Sequence, residues 1–120
     1  MTNDRMEHLH FLVSQAVSAV IFSAAYLQIE LDDATLTCIK PPLVLGPDAD
    51  INPHHSDYKN QLCLFIDKRI TNITETGKGL VLTFDNGELL FEKEDQQELL
   101  VITDGNGEWH SYPDVELEGP

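Results

Sequence analysis

Few residues in this chain could do chemistry, and most are spaced badly for it. In "NPHHSD", residues 52–57, His54, His55 and Asp57 are metal ligands by type. Zinc takes about three or four convergent donors, and nothing else at a recognised spacing accompanies these, so the segment reads as a solvated loop. His8 and His10 would point in nearly opposite directions on a helix. "DADIN", residues 48–52, opens like a calcium loop, but Pro53 stands where that loop needs Gly and Lys59 where it needs Glu. "DGNGE", residues 104–108, shares the look with Trp109 at its sixth position, and reads better as a hairpin turn. There is no nucleophile elbow, phosphate loop or glycine-rich dinucleotide signature. Carboxylates are so abundant that any two could be paired at will, so such a pair carries no information. The reading is of a protein that is not an enzyme and takes no cofactor and no metal. Asp, Glu and His110 are the only actors a catalytic alternative would have.

"GEWHSYPDVE", residues 107–116, differs in kind. It gathers the only Trp with a His and a Tyr among Glu108, Asp114 and Glu116. Aromatic anchors ringed by charge are the composition of binding hot spots, because Trp and Tyr bury large area at low entropic cost. The competing reading is that Trp109 and Tyr112 plug one end of a core. Both stay open at this point. The chain carries 21 acidic and 7 basic residues, a formal net of −14, and residues 85–120 hold eleven of the acids against one base, Lys93. Such a surface repels nucleic acid and anionic lipid and steers basic partners toward it, although acidity alone also serves solubility. A contact surface drawn from Glu92, Glu94, Asp95, Glu98, Asp104, Glu108, Trp109 and Tyr112 is the expectation.

The elements that must hold these residues follow from apolar spacing. With 120 residues and 42% hydrophobic content the chain suits one domain, residues 1–120, with one core. Residue n set beside residue n + 53 aligns Leu12 with Phe65, Val17 with Ile70, Leu27 with Leu80, Ile29 with Leu82, Leu31 with Phe84 and Leu36 with Leu89, without a gap. This predicts two repeat units, about 9–40 and 62–93, each a short helical segment followed by an antiparallel three-strand meander. The surest strands are "LQIEL" and "LVLTF", whose apolar residues share one face at period two. "DNG" at 85–87 suits a tight hairpin, whereas Ala34 in the equivalent place of "DDA" predicts a different turn or a looser loop.

The first helix is placed at about residues 4–13, with Asp4 and Glu7 in capping-box spacing, burying Met6, Leu9, Leu12 and Val13. The second starts near Ser56 or Asp57 and buries Leu62, Phe65 and Ile66. Pro41, Pro42, Pro47 and Pro53 make residues 41–57 a surface linker. "ELLVI" and "EWHSY" form a C-terminal hairpin at about 97–113, followed by a frayed "ELEGP". The expected class is α+β: internally duplicated helix-plus-meander units, a mainly antiparallel sheet, and short helices on one side, with one continuous sheet and two facing sheets both open. Cys38 and Cys63, each inside an apolar run, read as inert core thiols. No apolar run reaches the roughly 20 residues of a membrane-spanning helix, and "MTNDRMEHLH" lacks the pattern of a signal peptide, which makes the cytoplasm the expected address.

The spacing of "LHFLVSQAVSAV" with "LQIEL", and of "CLFIDKRITNI" with "GLVLTFDNGELL", resembles a group of small bacterial proteins that serve as immunity partners of polymorphic toxins. The resemblance covers residues 9–92, and the Gly of that group's "LVG" is Ser14 here and Asp67 in the second copy. It implies a small antidote that binds one cognate toxin domain and blocks its active site or substrate channel. A nuclease toxin is basic where it holds nucleic acid, and an acidic inhibitor can occupy that groove as a phosphate mimic. The functional expectation is therefore a non-enzymatic inhibitor of a basic bacterial toxin, binding neither nucleic acid nor membrane, as monomer or homodimer. Two alternatives belong to other classes: a small-molecule-binding module or small enzyme with a cleft between the repeats, and a structural subunit that dimerises by a sheet edge.

Overall fold

In "LQIEL", "ATLTC" and "LVLTF" the residues alternate at period two between buried and partly exposed, and the buried set turns inward. In the computed structural model, which describes residues 9–46, 49–94 and 97–113, a first antiparallel meander runs through β1 (Val17–Phe22), β2 (Leu27–Leu31) and β3 (Ala34–Cys38). Short strands β4 (Leu43–Leu45) and β5 (Asp50–Ile51) precede the helix α1 (Tyr58–Cys63). A second meander, β6 (Ile70–Thr76), β7 (Gly79–Phe84) and β8 (Gly87–Glu92), is followed by the hairpin of β9 (Leu100–Asp104) and β10 (Trp109–Tyr112).

The connections exchange partners. After β3 the chain crosses to the second meander, where Val44 of β4 lies opposite Leu89 of β8. After β8 it crosses back, and Ile102 of β9 lies opposite Leu36 of β3. The product is two five-stranded antiparallel sheets, ordered β1-β2-β3-β9-β10 and β5-β4-β8-β7-β6. They meet where their first strands begin. Ser14 N–H donates to Ile70 O (2.7 Å) and Ile70 N–H to Gln15 O (3.0 Å). Asp67 N–H donates to Val17 O (2.8 Å) and Val17 N–H to Lys68 O (3.0 Å). Each member of the first pair lies 53 positions from its counterpart in the second. Ser14 and Asp67 take positive φ, 81° and 78°, and pairing shifts register at Val17/Ala19 in β1 and at Ile70/Asn72 in β6.

One buried cluster draws on both sheets. Leu36, Leu100 and Ile102 reach it from the first sheet, and Leu80, Leu82 and Leu89 from the second. Full burial of one such side chain contributes about 1.5–3 kcal/mol of transfer free energy. Leu9 and Leu12 enter from a single 3₁₀ turn at residues 9–12, and Leu62 and Phe65 from α1 and the residue pair after it.

The molecule is thus mostly antiparallel sheet with little helix. Several expectations change. Residues 41–57 are not a plain linker: Pro42 and Pro53 flank the segment without entering it, and Leu43–Leu45 pair with β8 while Asp50–Ile51 pair with β4. The second helix starts as expected, with Asp57 as its N-cap, and buries Leu62 with Phe65 after it, but Ile66 is 36% exposed. Cys38 is buried but Cys63 is exposed. The β2–β3 connection is no looser than β7–β8, since Leu31 faces Ala34 as Phe84 faces Gly87; they differ in that Gly87 takes φ 158° and Ala34 stays at negative φ. Asp4, Met6, Glu7 and His8 of the first helix, Pro47 and Asp48, and the frayed C-terminal end lie outside the described residues. No helix among the described residues is long and apolar enough to cross a membrane.

Candidate functional site

Acidic and aromatic side chains converge at the end of the first sheet where β2 turns into β3 and β9 into β10. Register puts them there: Ala34, the first residue of β3, lies opposite Asp104, the last of β9. Asp104 organises its own hairpin tip. Its Oδ1 accepts the N–H groups of Asn106 (2.8 Å) and Glu108 (3.0 Å), and its Oδ2 stands 3.1 Å from His110 Nε2. The His110 hydrogen bond, then those backbone N–H groups, hold the Asp104 carboxyl below the usual aspartate value. His110 in turn leans on Phe11, ring centroids 5.5 Å apart.

Gln15 ties the neighbouring turn to this tip. Its Oε1 accepts Asp33 N–H (2.7 Å) and its Nε2 donates to Phe11 O (3.0 Å). Asp33 then lies against the hairpin loop, at Gly105, where a Cβ would collide with the Asp33 carboxylate. A shallow cleft of about 350 Å³ is lined by Phe11, Asp33, Asp104 and His110. Beside it Glu108 is exposed and Trp109, on the outer face of β10, is 76% exposed. Asp32 is partly neutralised, its Oδ2 accepting Ala16 N–H (3.0 Å) and standing 3.6 Å from Arg69 Nη1.

This constellation can receive a cationic side chain: carboxylates on two turns and the Phe11 ring between them and His110, with the exposed indole on the outer face of the adjoining strand. Asp104, Glu108 and His110 also bring one donor atom each within 4.8 Å of one another. Both Asp104 oxygens, however, are engaged in stapling the loop, so their evident work is structural.

Of the eight residues expected to make one contact surface, Asp104 and Glu108 come together here, and Trp109 follows Glu108 in the chain but faces the other side of the strand from His110. Tyr112 is buried, 3% exposed, with its hydroxyl donating to Glu75 Oε2 (2.8 Å). The physical reason is parity. Residues three apart on a strand face opposite ways, so Trp109 and Tyr112 cannot both be outward anchors. Glu92 ends β8 and Glu94 follows it, pairing with Lys40 (2.7 Å), while Lys93 lies 3.4 Å from Glu75. That end is on the order of 13 Å away along β9. Glu98 is half-buried ahead of β9, while Asp95, Asp114, Glu116 and Glu118 lie outside the described residues. The described C-terminal acids are therefore divided between two ends of the molecule. Phe11 and Asp33 were not anticipated at the site, because only long-range register brings them to Asp104. His54 and His55 stand in the loop before α1 with no metal-ligand cluster, among the described residues, around them.

No protein-family model matches this chain, and neither a curated protein nor a solved structure matches it.

Proposed function

We propose that this chain is a non-enzymatic immunity protein that binds and neutralises a basic bacterial toxin domain, a nuclease, through the acidic and aromatic end of its first sheet. The observation that carries the reading is the gathering of Asp33, Asp104 and Glu108 at the tip of one sheet, next to a strand whose outer face presents Trp109, 76% exposed. Carboxylates there steer a basic partner inward, raising the rate of encounter more than the final affinity, and the indole supplies the apolar anchor that affinity needs. The net charge of −14 adds long-range attraction of the same sign.

The chain departs from the immunity proteins it resembles at Ser14 and Asp67. That group carries Gly at these places, and here both residues take positive φ, the conformation Gly adopts freely. The scaffold is read as two copies of one unit offset by 53 positions, each a helical turn followed by a meander, with the turns on one side of the sheets. Tyr112, Glu92 and Glu94 take no part in the contact.

The test is capture of the cognate toxin at low salt, then inhibition of its nuclease activity by the wild-type chain and by a Glu108→Lys, Trp109→Ala variant. Inhibition that weakens about 100-fold in the variant supports the reading. Recovery of no basic protein, capture indifferent to salt between about 50 and 300 mM, or undiminished inhibition by the variant contradicts it.

A further inference from the structure

At the opposite end of β2 from the acidic site lies a cleft of about 520 Å³, within the size range of small-ligand pockets. It opens between the β1–β2 turn and the segment that leads into α1. Leu27, Cys38 and Tyr58 form its buried floor, and Tyr58 is pinned there by its hydroxyl donating to Pro42 O. Its rim is apolar yet solvent-exposed: Phe22 at 37%, Tyr26 at 45% and Ile39 at 48%. Three large apolar residues left exposed around one concavity mark a place that something covers.

Charge identifies what that is. The chain holds 21 acids, but among the described residues lining this cleft none is one. Its basic contributors are Lys59, whose Nζ lies 5.3 Å from the Phe22 ring centroid, and His55. His55 Nδ1 accepts Asp57 N–H (3.0 Å), which puts the proton of the neutral ring on Nε2, a donor. Ser56 adds a hydroxyl to the lining. Apolar walls with an ammonium, an imidazole N–H and a hydroxyl, and no carboxylate among the described lining residues, complement a molecule with an aromatic or aliphatic body and one anionic head.

We infer that this cleft binds a small amphipathic anion, its apolar body between Phe22, Tyr26 and Ile39 and its carboxylate at Lys59 and His55. The inference stands apart from the acidic end and does not depend on its partner.

A direct test titrates the intact chain with 2-naphthylacetate, followed by amide chemical shifts, against the uncharged 2-naphthylethanol and the cationic 2-naphthylmethylamine. The acid should bind at concentrations up to about 1 mM, with shifts centred on Tyr26, Ile39 and Lys59. It should bind about fivefold more tightly than the alcohol, the ratio a partly exposed charge pair supplies. Lys59→Gln and Lys59→Glu, both at an exposed helical position, should abolish that preference, and Ile39→Glu should weaken acid and alcohol alike. Equal binding of acid, alcohol and amine overturns the inference, as do shifts mapping elsewhere or no binding at all. So does a dimer by light scattering that buries Phe22, Tyr26 and Ile39, since a second copy would then be the occupant.

Discussion

Replacing Ser14 and Asp67 by glycine should stabilise the protein, against the usual direction of glycine substitutions. Both residues hold positive φ, 81° and 78°, where backbone hydrogen bonds tie the two sheets together, and their N–H groups make the bonds to Ile70 and Val17. Both side chains are exposed and form no hydrogen bond among the described residues. An L-residue in the left-handed region costs about 1–2 kcal/mol, less for Asp. Glycine removes that cost but returns about 0.5–1 kcal/mol through the freedom of its unfolded chain. The net gain should be about 0.5–1 kcal/mol at Ser14 and a few tenths at Asp67. The double variant should then gain about 1 kcal/mol, or about 3–6 °C in Tm for a domain of this size. Urea unfolding of wild type, the two single variants, the double variant and a Ser14→Ala control measures it. The alanine control keeps the strain and should gain nothing. Glycine variants less stable than wild type, or an alanine variant that matches them, would refute the assignment of strain to these positions.

Other outcomes follow from the core and the hairpin tip. Leu36→Ala, at a position fully buried between β2 and β9, should cost about 2–5 kcal/mol in urea unfolding. A thiol reagent should modify Cys63 in the native protein and reach Cys38 only on unfolding, because Cys38 is buried and burial pushes its thiol up, away from the reactive thiolate. The Asp104 carboxyl titrates below 3.8 in the folded state, so its support of the tip is complete above that value and is lost as pH falls through the lower folded value. The amide shifts of Asn106 and Glu108 should therefore move with a common midpoint under 3.8, and Asp104→Asn should remove that titration.

Period-two patterning made the meanders legible. Leu27, Ile29 and Leu31 share the inner face of β2, as Leu80, Leu82 and Phe84 share that of β7. What local pattern could not convey was partnership across distance. β4 has three residues, of which only Val44 is fully buried, so it left almost no alternation to read beside its prolines. The crossing of β4 to β8 and of β9 to β3 is written in no single stretch of residues. Cys63 looked buried because "QLCLF" is apolar throughout, yet on α1 its neighbour Leu62 takes the inward face and Cys63 the outward one. Strand parity could have separated Trp109 from Tyr112 in advance. Asp33 and Phe11 could not have been placed beside Asp104 without the register of β3 on β9.

The central claim is that one end of the first sheet, not the general acidity of the chain, recruits a basic partner. It is tested most directly by the association rate with the captured toxin as ionic strength is varied, for an Asp33→Asn, Glu108→Gln variant and for a Glu92→Gln, Glu94→Gln variant, which remove equal charge from opposite ends. The account predicts that the first variant slows association about tenfold at low salt and flattens the salt dependence, while the second behaves as wild type. Equal slowing by both variants, or a larger effect from the Glu92 and Glu94 pair, would contradict it.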